Sequence, residues 1–229
     1  MKQAREVWQK VMSVKAKQEI VMGPYYAHQV KDEPKTLLFT LARYKFAARL
    51  LGEEKNMSVL ELGCNEGLGT NLLSKVSRKV VGVDFDENSI VLARSNFADE
   101  NIDFECSDFL DRKYGSFDAV VSIDVIEHIS PEDEIKYLNT IHKNLKKDGF
   151  CIIGTPNITA QEYASRESRI GHVNLYSAER LRDTLGQIFC RVFLFGMNDE
   201  VIHTGFYPMC HYVFLLGVCK KESCLDYGG

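Results

Sequence analysis

A glycine-containing loop follows the first apolar strand-like segment and carries two acids. It occupies residues 61–67 with the sequence ELGCNEG. Glycine lets the backbone approach a ligand closely, and ligands of open parallel sheets bind beyond the carboxyl ends of the strands. The loop therefore predicts a small-molecule site, for which a dinucleotide and a cationic nucleoside are the competing ligands.

The residues of the loop separate these two ligands. A dinucleotide site needs G-x-G-x-x-G, but Asn65 and Leu68 occupy the second and third glycine positions. Glu61 and Glu66 would also face a pyrophosphate, which favours the positive end of a helix. S-adenosylmethionine carries a sulfonium and an ammonium group against one carboxylate and has no phosphate, so acids favour it. The chain has no G-K-[ST], which excludes a nucleoside triphosphate loop.

Three further acids follow strand-like segments. Asp84 ends Val-Val-Gly-Val-Asp, where a carboxylate can accept from both ribose hydroxyls. Asp108 stands beside Phe109, so the pair suits the amine and the ring of adenine. Asp124 follows the fourth strand-like segment, at the edge where the methyl group is expected. A helix cap is the alternative role for Asp124, and a local turn is the alternative for Asp108.

The order of these blocks points to a family. E-x-G-x-N-x-G at 61–67, VGVD at 81–84, SD at 107–108, DVIEHI at 124–129 and GTPN at 154–157 follow one another. This succession resembles the class I S-adenosylmethionine-dependent methyltransferases, and within them the ubiquinone-biosynthesis type of small-molecule O-methyltransferase. The resemblance covers about residues 57–195. The family usually has glycine where Asn65 stands, and because Asn tolerates positive φ better than most residues we expect the loop to keep its shape.

The resemblance implies the cofactor S-adenosylmethionine, with S-adenosylhomocysteine as product, and no metal. Arg43 is expected to meet the cofactor's carboxylate, with an ordinary solvent-directed side chain as the alternative. The predicted cofactor-binding residues are Glu61, Gly63, Cys64, Asn65, Gly67, Asp84, Phe85, Ser107, Asp108, Phe109, Asp124 and Arg43.

Two histidines are the catalytic candidates. His128 and His172 lie on segments leading to the expected methyl group, and neutral imidazole removes protons near pH 7. A structural histidine bonded to backbone is the alternative for both. The acceptor side is expected from the N-terminal segment, the loop 156–176 and the connection 197–210. Its predicted residues are Tyr25, His28, Asn157, Tyr163, Arg166, Arg169 and Tyr176, with His203 and Tyr207 in the connection.

The mix of Arg, His and Tyr indicates a small polar acceptor, anionic or sugar-type, methylated on oxygen in preference to nitrogen. Three alternatives remain open: methylation of RNA or protein, a non-catalytic S-adenosylmethionine-binding module, and an NAD-dependent oxidoreductase. The last is disfavoured by Asn65, Leu68 and the acids of the loop.

The elements that must position these residues alternate between strand and helix. Apolar strands are predicted at 58–62, 79–84, 102–106, 117–123, 149–154, 191–195 and 211–219, the last two as a hairpin at the edge. Helices are predicted at 4–22, 32–51, 67–76, 87–97, 131–147 and 177–185, with a polar-aromatic loop at 25–29.

This alternation predicts an α/β fold with a parallel sheet covered on both faces. The resemblance refines it to a Rossmann-like, seven-stranded, mostly parallel sheet with an antiparallel last strand. The predicted organisation is a helical cap at 1–57, a methyltransferase domain at 58–221 and a tail at 222–229.

Composition agrees with such a domain. The 229 residues are 45% hydrophobic and 26% charged, which is ordinary globular usage. A net charge of -4 lacks the basic footprint of a general nucleic-acid binder. Seven cysteines without a C-x-x-C pair argue against a disulfide framework or zinc ribbon.

No apolar run reaches the ~20 residues of a membrane helix, so we expect a cytoplasmic protein with a small-molecule partner, no nucleic acid and no membrane; the oligomeric state stays open.

Overall fold

The computed structural model of this chain describes residues 2–14 and 19–222. Its helices are α1 (Lys2–Val14), α2 (Pro24–Lys31), α3 (Pro34–Leu51), α4 (Leu68–Ser74), α5 (Glu87–Phe97), α6 (Glu134–Asn144), α7 (Arg166–Gly171) and α8 (Ala178–Leu185). Its strands are β1 (Ser58–Leu62), β2 (Lys79–Asp84), β3 (Ile102–Cys106), β4 (Phe117–Ile123), β5 (Leu145–Pro156), β6 (Phe189–Asn198), β7 (Val201–His203) and β8 (Tyr212–Lys220). The predicted tail lies outside the described residues from position 223 onward.

One sheet runs through the described chain in the order β3-β2-β1-β4-β5-β8-β6-β7. The strands β1 to β5 pair in parallel, whereas β8 is antiparallel to both β5 and β6. This confirms the mostly parallel sheet with an antiparallel last strand. Two details were wrong: β8 lies inside the sheet and not at a hairpin edge, and β7 adds an eighth strand by pairing with the end of β6.

Helices cover both faces of this sheet, as predicted. On one face α6 contributes Tyr137, Leu138 and Ile141, and α8 contributes Leu181 and Leu185, to the core. On the opposite face α3 buries Tyr44, Ala47 and Leu51 against the sheet, and α4 buries Leu73. Because α3 supplies fully buried core residues, the N-terminal segment from α3 onward packs as part of the same core. Within residues 2–14 and 19–222, no helix combines the length and apolar character needed to cross a bilayer.

The sheet positions the site through its strand order. β1 lies between β2 and β4, and the direction of chain progression reverses between β1 and β4. Such a reversal opens a crevice at the carboxyl ends of the strands, where ligands of open α/β sheets bind. The glycine loop follows β1 at this crevice, and Asp84 and Asp124 lie at the ends of the two flanking strands.

The first predicted helix is shorter than expected. α1 ends at Val14, residues 15–18 lie outside the described residues, and residues 19–22 are not helical. The N–H of Val21 donates to Asn96 Oδ1 at 3.0 Å, and the carbonyl of Val21 accepts from Asn96 Nδ2 at 2.8 Å. A side chain of α5 therefore satisfies this stretch of backbone, and tertiary contacts override helix propensity.

Residues 25–29, predicted as a loop, lie instead in α2. The N–H groups of Gly23 and Tyr25 donate to the Glu66 carboxylate at 2.9 and 3.0 Å. The first N–H groups of a helix need acceptors from outside the helix. Here the acceptor comes from the glycine loop, about forty positions further along the chain, where local sequence does not reveal it.

The helix predicted at 131–147 stops early. It begins with a 3₁₀ turn, and α6 ends at Asn144. The Oδ1 atom of Asn144 accepts from the Tyr114 N–H at 2.6 Å, and Leu145 already pairs with Phe117 in the sheet. These long-range bonds end the helix before the glycine at 149.

Candidate active site

The glycine loop is shaped by backbone angles that its sequence permits. Gly63 has φ 77°, and a Cβ there would lie 2.3 Å from Val125 Cγ2, so only glycine fits. Gly67 has φ 83° and precedes α4. Asn65 has φ 48°, which confirms that Asn adopts the left-handed conformation expected where the family usually has glycine.

Asp84 ties this loop to the next strand. Its Oδ2 accepts from the Asn65 N–H at 2.8 Å, and its Oδ1 accepts from the Asp86 N–H at 3.0 Å. The side chain is largely buried, yet it lines the cavity described below. Each carboxylate oxygen has further lone pairs, so Asp84 retains acceptor capacity toward a ligand.

A cavity of about 940 Å³ opens at the carboxyl edge of the sheet. That volume is within the ~300–1,000 Å³ of typical cofactor sites. Its wall combines backbone of the glycine loop, aromatic rings and five carboxylates, and none of the Lys or Arg side chains that the structure describes lines it. The lining includes Tyr25, Gly63, Asn65, Glu66, Asp84, Phe85, Asp86, Asp108, Phe109, Asp124, Val125 and His128.

One end of the cavity is aromatic. Phe85 is 75% exposed although it is a large apolar side chain, whereas Phe109 is buried in the core and shows only part of its ring to the cavity. Asp108 directly precedes Phe109 in the chain. Its Oδ1 accepts a hydrogen bond from the Leu110 N–H at 3.1 Å. Ser107 does not line the cavity, and its hydroxyl accepts from Tyr114 at 3.1 Å.

Three loop residues predicted to bind the cofactor lie behind this wall. Glu61 is buried and its Oε2 accepts from Thr70 Oγ1 at 2.5 Å. Burial raises the pKa of Glu61 to about 7, against the opposing hydrogen bonds of Thr70 and Tyr44. Cys64 is also buried, and desolvation raises the pKa of its thiol. Gly67 does not line the cavity, so its role is to shape the loop and not to contact a ligand.

Arg43 does not stand free to meet a cofactor carboxylate, as the sequence predicted. Its Nη1 lies 2.6 Å from Asp124 Oδ2, and its guanidinium stacks on the Tyr212 ring at 4.0 Å. The side chains of Arg43 and Asp124 are 17% and 23% exposed. Neighbouring Asp124 raises the pKa of Arg43 despite burial, so Arg43 stays charged and paired with Asp124, which lines the cavity.

The two predicted histidines lie beside each other, and His128 lines the cavity. The His128 and His172 rings lie 5.1 Å apart, edge to face. His128 Nδ1 is 2.9 Å from the Gly171 carbonyl, an acceptor only, so Nδ1 carries the proton and Nε2 offers a lone pair. Burial and the adjacent His128 lower the pKa of His172, which keeps that imidazole neutral near pH 7.

Glu127 completes this group, although the sequence indicates it only as part of the motif at 124–129. It is fully buried, and its Oε2 accepts from Thr155 Oγ1 at 3.0 Å. Burial and the nearby Asp124 raise the pKa of Glu127. The ligand atoms of Glu127, His128 and His172 lie within 4.8 Å of one another. The feature of the sequence that could have identified Glu127 is an acid that follows two apolar residues.

Most residues predicted for the acceptor side lie elsewhere. Tyr25 lines the cavity. Asn157 and Tyr176 are buried, and their side chains bond to the Cys210 carbonyl and to Glu134 respectively. The remaining ones face solvent or bond locally: His28 with Asp32, Tyr163 and Arg166 at the surface, Arg169 with the carbonyls of Glu162 and Ala164, His203 beside Cys210, and Tyr207 with Leu194.

Glu66 lines the cavity, but its side chain has a role other than the one that the sequence indicated. It was expected to face a ligand, yet both of its carboxylate oxygens accept from the N-terminal N–H groups of α2. Glu66 is therefore a link between the glycine loop and the helix that carries Tyr25 over the cavity.

Comparison with known proteins agrees with this geometry. A family model described as a methyltransferase domain matches residues 26–188. A probable S-adenosylmethionine-dependent methyltransferase of Mycolicibacterium smegmatis is 33% identical over 99 residues, 43% of this chain and 38% of that protein. The ubiquinone biosynthesis O-methyltransferase of Ruegeria pomeroyi is 28% identical over 123 residues, 51% of this chain and 49% of that protein. The matched segments thus span less than half of these relatives.

Similarity of fold extends further than similarity of sequence. N-methyltransferase NodS from Bradyrhizobium japonicum WM9, solved with S-adenosyl-L-homocysteine, superposes with a TM-score of 0.61 at 18% identity, covering 85% of this chain and 91% of that one. The strand order and the acid-lined crevice define a Rossmann-like fold of the class I methyltransferases. The chain belongs to the methyltransferase-domain family, within the S-adenosylmethionine-dependent class.

Proposed function

We propose that this chain transfers a methyl group from S-adenosylmethionine to a hydroxyl oxygen of a small, polar, uncharged acceptor. The observation that carries the proposal is the distribution of charge in one cavity. Among the described residues its lining offers carboxylates and no Lys or Arg, and it includes His128, which lies beside buried Glu127 and half-buried His172. A cavity of this charge favours a cationic cofactor and disfavours a pyrophosphate or an anionic acceptor.

Cofactor contacts follow from the lining. We assign Asp84 to the ribose hydroxyls, and Phe85, Asp108 and Phe109 to the adenine, because these groups lie at the ends of adjacent strands around one space. Gly63 and Asn65 supply the backbone that permits close approach. Glu61, Cys64, Gly67 and Ser107 support the site from behind. Arg43 acts through Asp124 in this assignment, since the two form an ion pair.

When bound, the cofactor supplies a methyl group on a sulfonium, an activated donor. The chain's task is to hold the acceptor oxygen in line with that methyl carbon, and such alignment contributes about 7–11 kcal/mol. The oxygen lone pair forms the new O–C bond, the C–S bond breaks with its electron pair passing to sulfur, and the hydroxyl proton passes to the neutral imidazole of His128 or His172. We assign His128 and His172 to that oxygen, because His128 lines the cavity and Glu127 and His172 lie beside it.

The uncharged acceptor departs from part of the sequence-based expectation. Arg166 and Arg169 suggested an anionic ligand, but Arg169 bonds to backbone carbonyls of its own loop and Arg166 faces solvent. Proteins with the same fold include a plantazolicin methyltransferase and an N-methyltransferase, so the acceptor of this chain is identified by direct assay.

The assay combines cofactor binding with a panel of hydroxylated small molecules. We expect calorimetry to detect S-adenosylhomocysteine binding that Asp84→Ala weakens by roughly 1.5–3 kcal/mol, the scale of hydrogen bonds to a charged group. Asp103→Ala, which removes an exposed acid paired with Lys79, is the matched control and should leave affinity unchanged.

Methylated products are then identified by mass spectrometry. Transfer to the oxygen of a phenolic or sugar-like acceptor supports the proposal. Transfer confined to an RNA, a peptide or an amine contradicts it, as does full affinity for S-adenosylhomocysteine in a folded Asp84→Ala variant.

A further inference from the structure

Two cysteines face each other across neighbouring strands in the antiparallel part of the sheet. Cys190 lies in β6 and Cys219 lies in β8. The backbone pairs on either side of them keep one register: Phe189 with Lys220, and Arg191 with Val218. Opposite residues of an antiparallel pair have Cα atoms about 4.5–5.5 Å apart, within the ~4.4–6.8 Å that a disulfide spans. We propose that Cys190 and Cys219 form a reversible disulfide, which fastens β6 to β8 when a small-molecule disulfide oxidises them.

Both thiols are open to a reagent from solution and lie beside each other. Cys190 and Cys219 are exposed, whereas three other cysteines in the described part of the chain are buried. A hydrogen bond to the Cys219 thiol raises the pKa of Cys190, against the opposing charges of Lys221 and Arg191. The two sulfur atoms are therefore close enough for one to attack a modified form of the other.

The backbone beside the pair is held by bonds to other elements. The N–H of Lys221 donates to the Ile188 carbonyl at 2.9 Å, and the carbonyl of Lys221 lies 2.7 Å from His142 Nε2. The ammonium group of Lys220 donates to the Leu145 carbonyl at 2.6 Å. Because these bonds position both strands before any reaction, each thiol meets the other at a high effective concentration.

The backbone conformation of Cys219 is unusual for a residue with a side chain. Its φ is 59°, in the left-handed region that few residues other than glycine adopt. Such a conformation persists only where the surrounding structure determines it, and the bonds of Lys220 and Lys221 do so here. Glycine at this position would remove the strain together with the thiol, so the presence of cysteine agrees with a role for the sulfur.

The reaction consists of two thiol–disulfide exchanges. The thiolate of one cysteine attacks a sulfur of the small-molecule disulfide, forms a mixed disulfide and releases one small-molecule thiolate. The thiolate of the second cysteine then attacks the protein sulfur of that mixed disulfide and releases the second small-molecule thiolate. The two protons of the protein thiols end on the released thiolates. One small-molecule disulfide is thus reduced to two thiols for each protein disulfide that forms.

The pair lies away from the cofactor cavity. β8 is antiparallel to β5, so the end of β8 that carries Cys219 lies opposite to the carboxyl edge of the parallel strands. We therefore expect oxidation to change stability and not the affinity for S-adenosylhomocysteine. The spacing of the cysteines in the sequence did not indicate this pair, because Cys190 and Cys219 meet only through the pairing of β6 with β8.

Oxidation of the full chain by glutathione disulfide tests the proposal. The reduced protein is freed of dithiothreitol and incubated with excess glutathione disulfide, and the remaining thiols are blocked with N-ethylmaleimide. Trypsin and chymotrypsin place Cys190 and Cys219 on peptides separate from each other and from the neighbouring cysteines, because they cleave after Arg191, Tyr212 and Lys221. We expect mass spectrometry to identify a link between Cys190 and Cys219 that excess dithiothreitol removes.

Stability provides a second readout of the same link. The disulfide closes a loop of about 30 residues and should raise Tm by roughly 5–15 °C. Cys190→Ser and Cys219→Ser should each abolish both the link and the rise in Tm, while the Tm of the reduced chain changes little because both positions are exposed. Cys106→Ser, which removes an exposed cysteine of β3, is the matched control and should form the link as the unaltered chain does.

The outcomes are separable from those that test the proposed function. Free thiols in excess glutathione disulfide, a lasting glutathione adduct on Cys190 or Cys219, or a link from either to another cysteine overturns the proposal. A linked protein without a higher Tm overturns it as well, because the strands are then not fastened. Calorimetry with S-adenosylhomocysteine on the reduced chain does not depend on the link, so failure of the disulfide leaves the proposed function intact.

Discussion

Glu61 carries a carboxyl group that is buried behind the glycine loop. Its burial makes the stability of the fold depend on pH. Its oxygen Oε2 accepts a hydrogen bond from Thr70, and the Tyr44 hydroxyl also stabilises the charged form. Burial moves its pKa from 4.5 to about 7. The folded protein therefore binds this proton more tightly than the unfolded chain does, and the stability that results is complete below pH 4.5 and decreases as pH rises to about 7.

We expect Glu61→Gln to remove this decrease, because the amide stays neutral throughout. The free energy of unfolding of the unaltered chain, relative to the variant, should fall by on the order of 3 kcal/mol between pH 4.5 and 8. Urea unfolding at several pH values measures it. Glu105→Gln, which changes an exposed acid, is the control and should track the unaltered chain. Parallel pH profiles for Glu61→Gln and the unaltered chain would contradict the prediction.

At the scale of residues, the sequence predicted those site positions that a strand end determines. Asp84 and Asp124 line the cavity because parallel strands end at one edge of the sheet. Arg43 and Tyr176 were harder to interpret, since their partners Asp124 and Glu134 lie far away in the chain. Residue type alone does not distinguish a side chain that meets a ligand from one that meets a distant protein group.

Helices and strands have their predicted bounds where hydrophobic periodicity and local caps determine those bounds. The four strands from β1 to β4 have the predicted bounds, and Ser177 caps α8 by accepting from the Arg180 N–H at 3.2 Å. Errors arose where a distant side chain ends or begins an element. The side chain of Asn96 bonds to the non-helical stretch before α2, and Glu66 bonds to the start of α2. The side chain of Asn144 bonds to a distant loop where α6 ends. Their bonds depend on the folded arrangement, which local propensity does not contain.

The link between Glu66 and α2 gives a prediction at this scale. Glu66→Gln leaves one acceptor oxygen where two N–H groups now bond, and loss of a helix cap is worth about 0.5–2 kcal/mol. We expect α2 to loosen, so that amide exchange across Pro24–Lys31 accelerates and S-adenosylhomocysteine dissociates several times faster. Hydrogen–deuterium exchange and stopped-flow binding measure the two effects.

A matched control separates this link from general loss of helix stability. Ser177→Ala removes a cap from α8, a helix that does not line the cavity. It should loosen α8 without changing the dissociation rate. If Glu66→Gln accelerates exchange in α2 but leaves ligand dissociation unchanged, α2 does not hold the cofactor.

Across the whole molecule, a weakly acidic chain concentrates negative charge in one place. The net charge is only -4, yet Glu66, Asp84, Asp86, Asp108 and Asp124 all line the same cavity. The guanidinium of Arg43, which is 17% exposed, is already paired with Asp124. The field in the cavity therefore selects ligands by charge more strongly than overall composition indicates.

This concentration predicts how the folded chain discriminates between nucleotides. S-adenosylhomocysteine retains an ammonium group and no phosphate, whereas NAD⁺ brings a pyrophosphate toward the acids. At about 100 times its Kd, S-adenosylhomocysteine should stabilise the fold by about 2.7 kcal/mol, which raises Tm by roughly 5–10 °C in a chain of this length. NAD⁺ at the same concentration should leave Tm unchanged. Differential scanning fluorimetry with both ligands, repeated on Asp84→Ala, measures this; an equal rise with NAD⁺ would show that the acids do not govern ligand choice.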